Sequence, residues 1–315
     1  MNVAESTVRN KEPLEGDPRE NPFAFHWENA SDDGLGMSDE LSALRVDEAQ
    51  SFHRLKSEET FSDWIGRGQG GEPLVIRALR QPLYDLPICR ADFREEATLM
   101  RLARGADVPG VYGFGHWRGS LAFSREWVAG ESLEDVLLRR RRGEVEALHP
   151  RLAARWIADL GATVDRLHRL RVSGYDVRGI VLRGIRPSAL HLGANGRLWL
   201  CDLREATRMR EGVAPPAAEP PEDLRYVCPS QVLGLGLGAA ADLYSLGVIL
   251  WELISDEPMV RGVTALDAYD EIVGRRAYRV TPALQRSGLR QMVEEALGYH
   301  GEVSLLGWCE RLREV

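Results

Sequence analysis

The stretch Ala239–Ile254, AAADLYSLGVILWELI, is apolar on nearly all of its faces. A helix with that pattern has no side to offer water, so other elements must surround it. Its apolar part, from Leu243 to Ile254, includes Tyr244, Ser245, Gly247 and Glu252. It falls short of the ~18 apolar residues that cross a bilayer, and no other run in the chain approaches that length. We therefore expect a central buried helix and no membrane insertion. The N-terminus lacks the charged-then-apolar pattern of a signal peptide, so the expected location is cytoplasmic.

The chain can supply the wrapping. At 315 residues it has length for about two domains, and 44% hydrophobic with 28% charged residues suits a soluble protein with a real core. Leu152, Trp156, Leu160, Val164 and Leu167 recur every three or four residues, which predicts an amphipathic helix. Before them the chain reads differently. PLVIRAL (Pro73–Leu79) is a β-branched run, and GVYGFGHW and SLAFSREWV suggest a hairpin joined by Arg118-Gly119. FREEATLMRL (Phe93–Leu102) interrupts these strands at helical spacing. A small β-rich lobe followed by a larger α-helical lobe is an α+β fold. The expected boundaries are a tail at 1–47, an N-lobe at 48–129 and a C-lobe at 130–315.

Charge sits unevenly along the chain. Residues 1–50 carry twelve acids and four bases, a net charge equal to the whole chain's −8, so the remainder is balanced. Pro13, Pro18 and Pro22 break the same segment, and we expect 1–47 to be mostly disordered. Phe23, Phe25 and Trp27 stand inside it as candidate partner-binding residues, either for another protein or for the chain's own folded part. No net basic face suggests nucleic acid. The run Arg139–Arg142 reads as a solvated helix end. Cys89, Cys201, Cys228 and Cys309 show neither paired nor metal-like spacing, so free thiols are expected. Lysine occurs only at Lys11 and Lys56, which leaves Lys56 as the one amine available to chemistry in the folded part.

Two segments carry a resemblance. One is GIVLRGIRPSALHL followed by LWLCDLREA, and the other is DLYSLGVILWELISDEP. Together with the order of elements they resemble a protein kinase domain of the bacterial serine/threonine type, over about Ser51 to Val315. The resemblance implies a two-lobed protein kinase-like fold in which Asp242 braces the catalytic loop. It also implies that most of the chemistry has been replaced. Phosphoryl transfer needs a carboxylate near the substrate hydroxyl and ligands for metal-bound phosphates. The family's catalytic aspartate falls on Gly184, its loop lysine on Arg186 and its second metal ligand on Ala189. The aspartate of D-F-G is kept as Asp202. The strand lysine falls on Arg77, with its helix glutamate kept as Glu96, and a forked guanidinium does not substitute simply for an amine.

The pocket looks altered too. Gly66, Gly68 and Gly71 spell G-x-G-x-x-G, yet they lie too close to Arg77 to cradle phosphates and are expected to form the turn into its strand. The cradle's own position reads LKSEETFSDW and offers Glu58 and Glu59, which repel anions. Val75, Arg125 and His191 fall where the adenine pocket would be and are candidate blocking residues, with Arg125 expected to pair with Glu96 or Asp202. Leu182 and Leu203 replace the histidine of H-R-D and the phenylalanine of D-F-G. Ser230 replaces the A-P-E glutamate, and its usual arginine partner is missing as well. Between Asp202 and Ser230 only Thr207 and Tyr226 carry hydroxyls, in a strip first rich in arginine and then in proline.

The expected function is a catalytically inactive pseudokinase, a protein-binding scaffold or allosteric regulator. ATP and Mg²⁺ binding should be weak or absent, and the partners should be proteins. The alternative is a divergent phosphotransferase or ATP-binding switch using Asp202 with Arg77 or Lys56. A small-molecule kinase has least support, since Gly184 leaves it equally without a base.

Overall fold

The structure is a computed structural model that describes residues 52–68, 71–105, 107–172, 177–210, 223–235 and 238–315. The tail expectation for 1–47, with Phe23, Phe25 and Trp27, lies outside the described residues.

Five strands form the first layer: β1 (His53–Ser57), β2 (Phe61–Arg67), β3 (Pro73–Leu79), β4 (Val111–Trp117) and β5 (Ser120–Glu126). They pair antiparallel in the order β1-β2-β3-β5-β4. The hairpin joining β4 to β5 turns at Arg118 (φ 51°) and Gly119 (φ 74°), the left-handed pair that matches strand twist. Gly68 and Gly71 lie between β2 and β3, where the expected turn forms, but Gly66 is still within β2, paired with Leu74. Two helices interrupt the strands, α1 (Gln81–Tyr84) and α2 (Pro87–Ala103). Proline opens α2, where no amide donor is required. Its buried stripe of Phe93, Ala97 and Met100 belongs to the same apolar core as Phe61, Phe114 and Phe123 of the sheet.

After Glu126 the chain becomes mostly helical. β6 (Gly130–Ser132) leads into α3 (Leu133–Arg141), where the Ser132 hydroxyl accepts from the Asp135 amide as an N-cap. Then come α4 (Pro150–His168), β7 (Ile180–Val181), β8 (Leu190–Gly193), β9 (Leu198–Leu200) and β10 (Thr207–Arg208). β6, β8 and β9 form a small sheet, and β7 pairs with β10. The rest is α5 (Pro229–Val232), α6 (Ala239–Ser255), α7 (Ala265–Val273), α8 (Pro282–Ser287), α9 (Arg290–Ala296) and α10 (Leu305–Glu314).

The apolar helix is the centre of this region, as its composition demanded. From Ala241 to Ile254 every residue of α6 is buried, with α4, α8 and α9 packed around it. Gly247 permits the close approach of α9, because a Cβ there would lie 2.6 Å from that of Ala296. The fold is thus α+β, an antiparallel sheet followed by a mostly helical region.

Two details depart from the sequence reading. Leu152 is 40% exposed, because it lies in the first turn of α4, while Trp156, Leu160, Val164 and Leu167 are buried. The arginine run is not uniformly solvated either. Arg139 and Arg142 are exposed, but Arg140 is buried, donating to the Leu253 carbonyl and pairing with Asp256 at 2.8 Å. Arg141 reaches buried Glu252. Helical geometry turns neighbouring residues to different faces, and here two of the four point at α6. Cys89, Cys201, Cys228 and Cys309 are free thiols. Among the described residues no helix is long and apolar enough to cross a membrane.

Candidate functional site: an arginine-filled cleft

The loop between β7 and β8 is held by one buried carboxylate. Asp242, on the first turn of α6, accepts the amides of Leu182 (2.9 Å) and Arg183 (2.8 Å) and contacts His168 Nε2 at 2.7 Å. Gln231 donates to the Arg183 carbonyl at 2.7 Å, which fixes a residue at φ 65°. Asp242 therefore braces the loop as the resemblance implied. Leu182, Leu203 and Met100 all belong to the main core.

That loop presents Gly184, with no side chain, and then Arg186. The Arg186 guanidinium is buried, donating to the Gly184 carbonyl at 3.4 Å and lying 3.6 Å from Asp202. Ala189 closes a turn of 3₁₀ helix and is 2% exposed, contributing only a methyl group.

Asp202 follows β9 and meets a second arginine two residues on. Arg204 donates from its amide to Oδ1 at 3.0 Å and from Nε to Oδ2 at 3.0 Å. Its far end continues upward to the Thr60 hydroxyl (3.1 Å) and Glu58 (3.3 Å) in the turn between β1 and β2. Glu58 thus joins the cluster, whereas Glu59 is exposed at the tip of the turn. Lys56 forms a salt bridge with Glu58.

Arg77 on β3 is the hub. It grips Asp63 through two hydrogen bonds, Nε to Oδ1 (2.9 Å) and Nη2 to Oδ2 (3.0 Å). Nη1 donates to Glu96 on α2 and lies 3.5 Å from Asp202. Two cations approach the Phe61 ring, the Arg77 guanidinium at 3.9 Å and that of Arg204 at 4.5 Å from its centroid.

Val75, Arg125 and His191, the candidate blocking residues, lie beside this cluster. Val75 and Arg125 are opposed across β3 and β5, and both are buried. His191 sits half-buried on β8, edge-on to Trp127. Burial, then the charge of Arg125, lowers the His191 pKa. The expected pairing of Arg125 with Glu96 or Asp202 is corrected: its partner is Asp63, at 3.4 Å. The β2–β3 register sets Asp63 directly opposite Arg77, within reach of both cations.

Four carboxylates (Glu58, Asp63, Glu96, Asp202) thus face four guanidinium groups (Arg77, Arg125, Arg186, Arg204). Burial raises the pKa of Asp202, but Arg77, Arg204 and Arg186 outweigh it and hold the carboxyl well below its usual range. Burial likewise opposes Arg77 and Arg125 at Asp63, whose pKa is lowered. Glu96 goes the other way. Burial pushes it up to about 7 despite Arg77, and the neighbouring anions Asp202 and Asp63 add to the rise.

Asp63 and Arg204 were missed in the sequence. Asp63 stands at period-two spacing with Phe61 and Ile65 and so shares their face of the strand, which made its inward direction readable. Arg204 stands at the glycine position of D-F-G, and an arginine two residues after a retained acid was a signal of local pairing. Thr207 lies on β10, paired with Val181, and Tyr226 is buried with its hydroxyl donating to Glu252 at 3.0 Å.

Residues 78–297 match the protein kinase domain family. The chain is 24% identical over 201 residues to the serine/threonine-protein kinase PknA of Mycobacterium tuberculosis, covering 62% of this chain and 44% of that protein. It is 29% identical over 168 residues to a putative cyclin-dependent kinase F-2 of Oryza sativa, covering 51% and 47%. It is 32% identical over 138 residues to the serine/threonine-protein kinase drp72 of Corynebacterium efficiens, covering 41% and 22%. The chain spans less than half the length of each of these relatives.

Proposed function

The chain belongs to the protein kinase domain family, and we propose that it does not transfer phosphate but serves as a protein-binding scaffold or allosteric regulator. One observation carries this reading: both oxygens of Asp202 are engaged by Arg204, and Arg204 also ties Asp202 to the β1–β2 turn. Nucleotide phosphates in this family lie beneath that turn, and here its Glu58 is drawn down onto an internal cation.

A divalent metal does not fit the donor set. Magnesium prefers six oxygens in near-octahedral geometry. Asp202 offers oxygens already facing Arg77, Arg186 and Arg204, and Ala189 and Gly184 offer no carboxylate or amide side chain. Bringing in a cation means first displacing guanidinium groups. Proton abstraction from a substrate hydroxyl lacks a base at Gly184, and Arg186, always protonated, cannot act as one.

A second reading, a nucleotide-binding switch, draws on the ion pair of Arg77 with Glu96. That pair keeps the arrangement which positions phosphates in active members of the family. For this reading Arg204 must swing away from Asp202.

The test is incorporation of radiolabelled phosphate from ATP with Mg²⁺ or Mn²⁺, comparing the wild type with Asp202→Ala. We expect no incorporation in either. Incorporation by the wild type that is lost in the variant overturns the proposal.

A further inference from the structure

A sheet with one face on a core normally turns polar side chains outward on the other. This sheet does not. Its inner face carries Phe61, Arg77 and Phe123 towards α2. The opposite face carries Trp64 and Ile76 side by side, with Leu74, Ala78, Tyr112, Trp117 and Ala122 around them. This second apolar cluster is separate from the main core, and among the described residues only Phe52 joins it from outside the five strands.

Two polar atoms are stranded on that face. Trp117 Nε1 and Ser124 Oγ are buried and have no hydrogen-bond partner among the described residues, with Trp117 only 2% and Ser124 0% exposed. Folded proteins rarely leave such groups unmet. The indole N–H is a donor only, so whatever completes this face must bring an acceptor.

The chain itself enters here. Phe52 packs against bare backbone at Gly66, where a Cβ would fall 2.1 Å from the Phe52 ring, and its ring meets that of Trp117 at 5.7 Å. Arg118 stacks on Trp64 (4.8 Å) and Trp117 (4.4 Å), and Arg54 lies 5.9 Å from Trp64, so the rim is cationic beside the tryptophans, while Glu72 and Glu126 lie near Tyr112.

We propose that residues 21–29 of the same chain, Asn-Pro-Phe-Ala-Phe-His-Trp-Glu-Asn, dock on this outer face. They lie outside the described residues. Phe23, Phe25 and Trp27 alternate with Ala24 and His26, which sets three aromatic rings on one side of an extended segment. Glu20 and Glu28 flank the aromatics with acceptors and with charge opposite to Arg54 and Arg118. Twenty-four residues separate Trp27 from Phe52. At ~3.3 Å each they reach far beyond a five-stranded sheet, and the short tether keeps the segment at high effective concentration.

The experiment is hydroxyl-radical footprinting of the full-length protein, read by mass spectrometry at Trp64, Tyr112 and Trp117. The wild type is compared with Phe23→Ala/Phe25→Ala/Trp27→Ala at two protein concentrations tenfold apart. We expect labelling of these three residues to rise at least threefold in the variant, equally at both concentrations, with a fall in Tm of about 4 °C. A synthetic peptide of residues 19–31, added at millimolar concentration, should restore protection in the variant. Unchanged labelling overturns the proposal, as does a peptide that restores nothing. Protection of the wild type that appears only at the higher concentration assigns the face to a second copy and likewise overturns docking within one chain.

Discussion

Two buried aspartates, Asp242 and Asp202, lie on either side of the same loop and have opposite surroundings. Asp242 is met by two backbone amides and a histidine. Asp202 is met by three arginines. Amides can only shape a loop, so Asp242 maintains the geometry that a kinase scaffold requires. Under the function proposed here, the arginines occupy the space and the charge that ligands need, and Asp202 serves stability alone.

If Asp242 is purely architectural, removing it should cost most. Asp242→Ala strands two amides and a histidine beside the loop, and we expect a loss of about 3–5 kcal/mol by urea denaturation. Asp202→Ala sharpens the comparison. It leaves Arg77, Arg186 and Arg204 short of a counter-charge, and a loss of about 2–4 kcal/mol is expected in the same assay. An Asp202 reserved for metal would cost little when removed from the metal-free protein, so a neutral result breaks the contrast.

A smaller effect separates the cluster's members by pH. Glu96 rises from the usual 4.5 to about 7 on folding, so between those values the folded state holds the proton more tightly. Stability contributed by this group is present below pH 4.5 and falls as pH climbs to 7. Glu96→Gln should flatten that part of the profile, by up to about 3 kcal/mol across the window. Asp63 and Asp202 are shifted the opposite way, so both proteins should lose stability as pH drops below 3.8. His191, lowered from 6.5, also favours higher pH, which makes the difference between the two proteins the quantity to read.

The scaffold was legible because its signals are periodic. The all-apolar α6, the stripe on α4 and the β-branched run of β3 each require a particular burial, and residue type and spacing show it. Leu152 failed only because it sits in an end turn that nothing covers. The cleft was half legible. Gly184, Arg186, Ala189 and Asp202 could be placed by their neighbours in the chain. The partnership of Arg77 with Asp63, and the reach of Arg204 to Glu58, could not, since strand register and a long side chain join residues 14 and 146 positions apart. Arg125 was given the wrong partner for the same reason.

A cleft closed by its own ion pairs leaves no room for ATP, so thermal stabilisation by ATP is the decisive measurement. Ligand that binds the folded state raises stability by about 2.7 kcal/mol at one hundred times its Kd, a shift of several degrees. With millimolar ATP and Mg²⁺ we expect no change in Tm for the wild type. A clear rise that disappears in Asp202→Ala would show that Asp202 still serves a nucleotide, and would contradict the closed cleft.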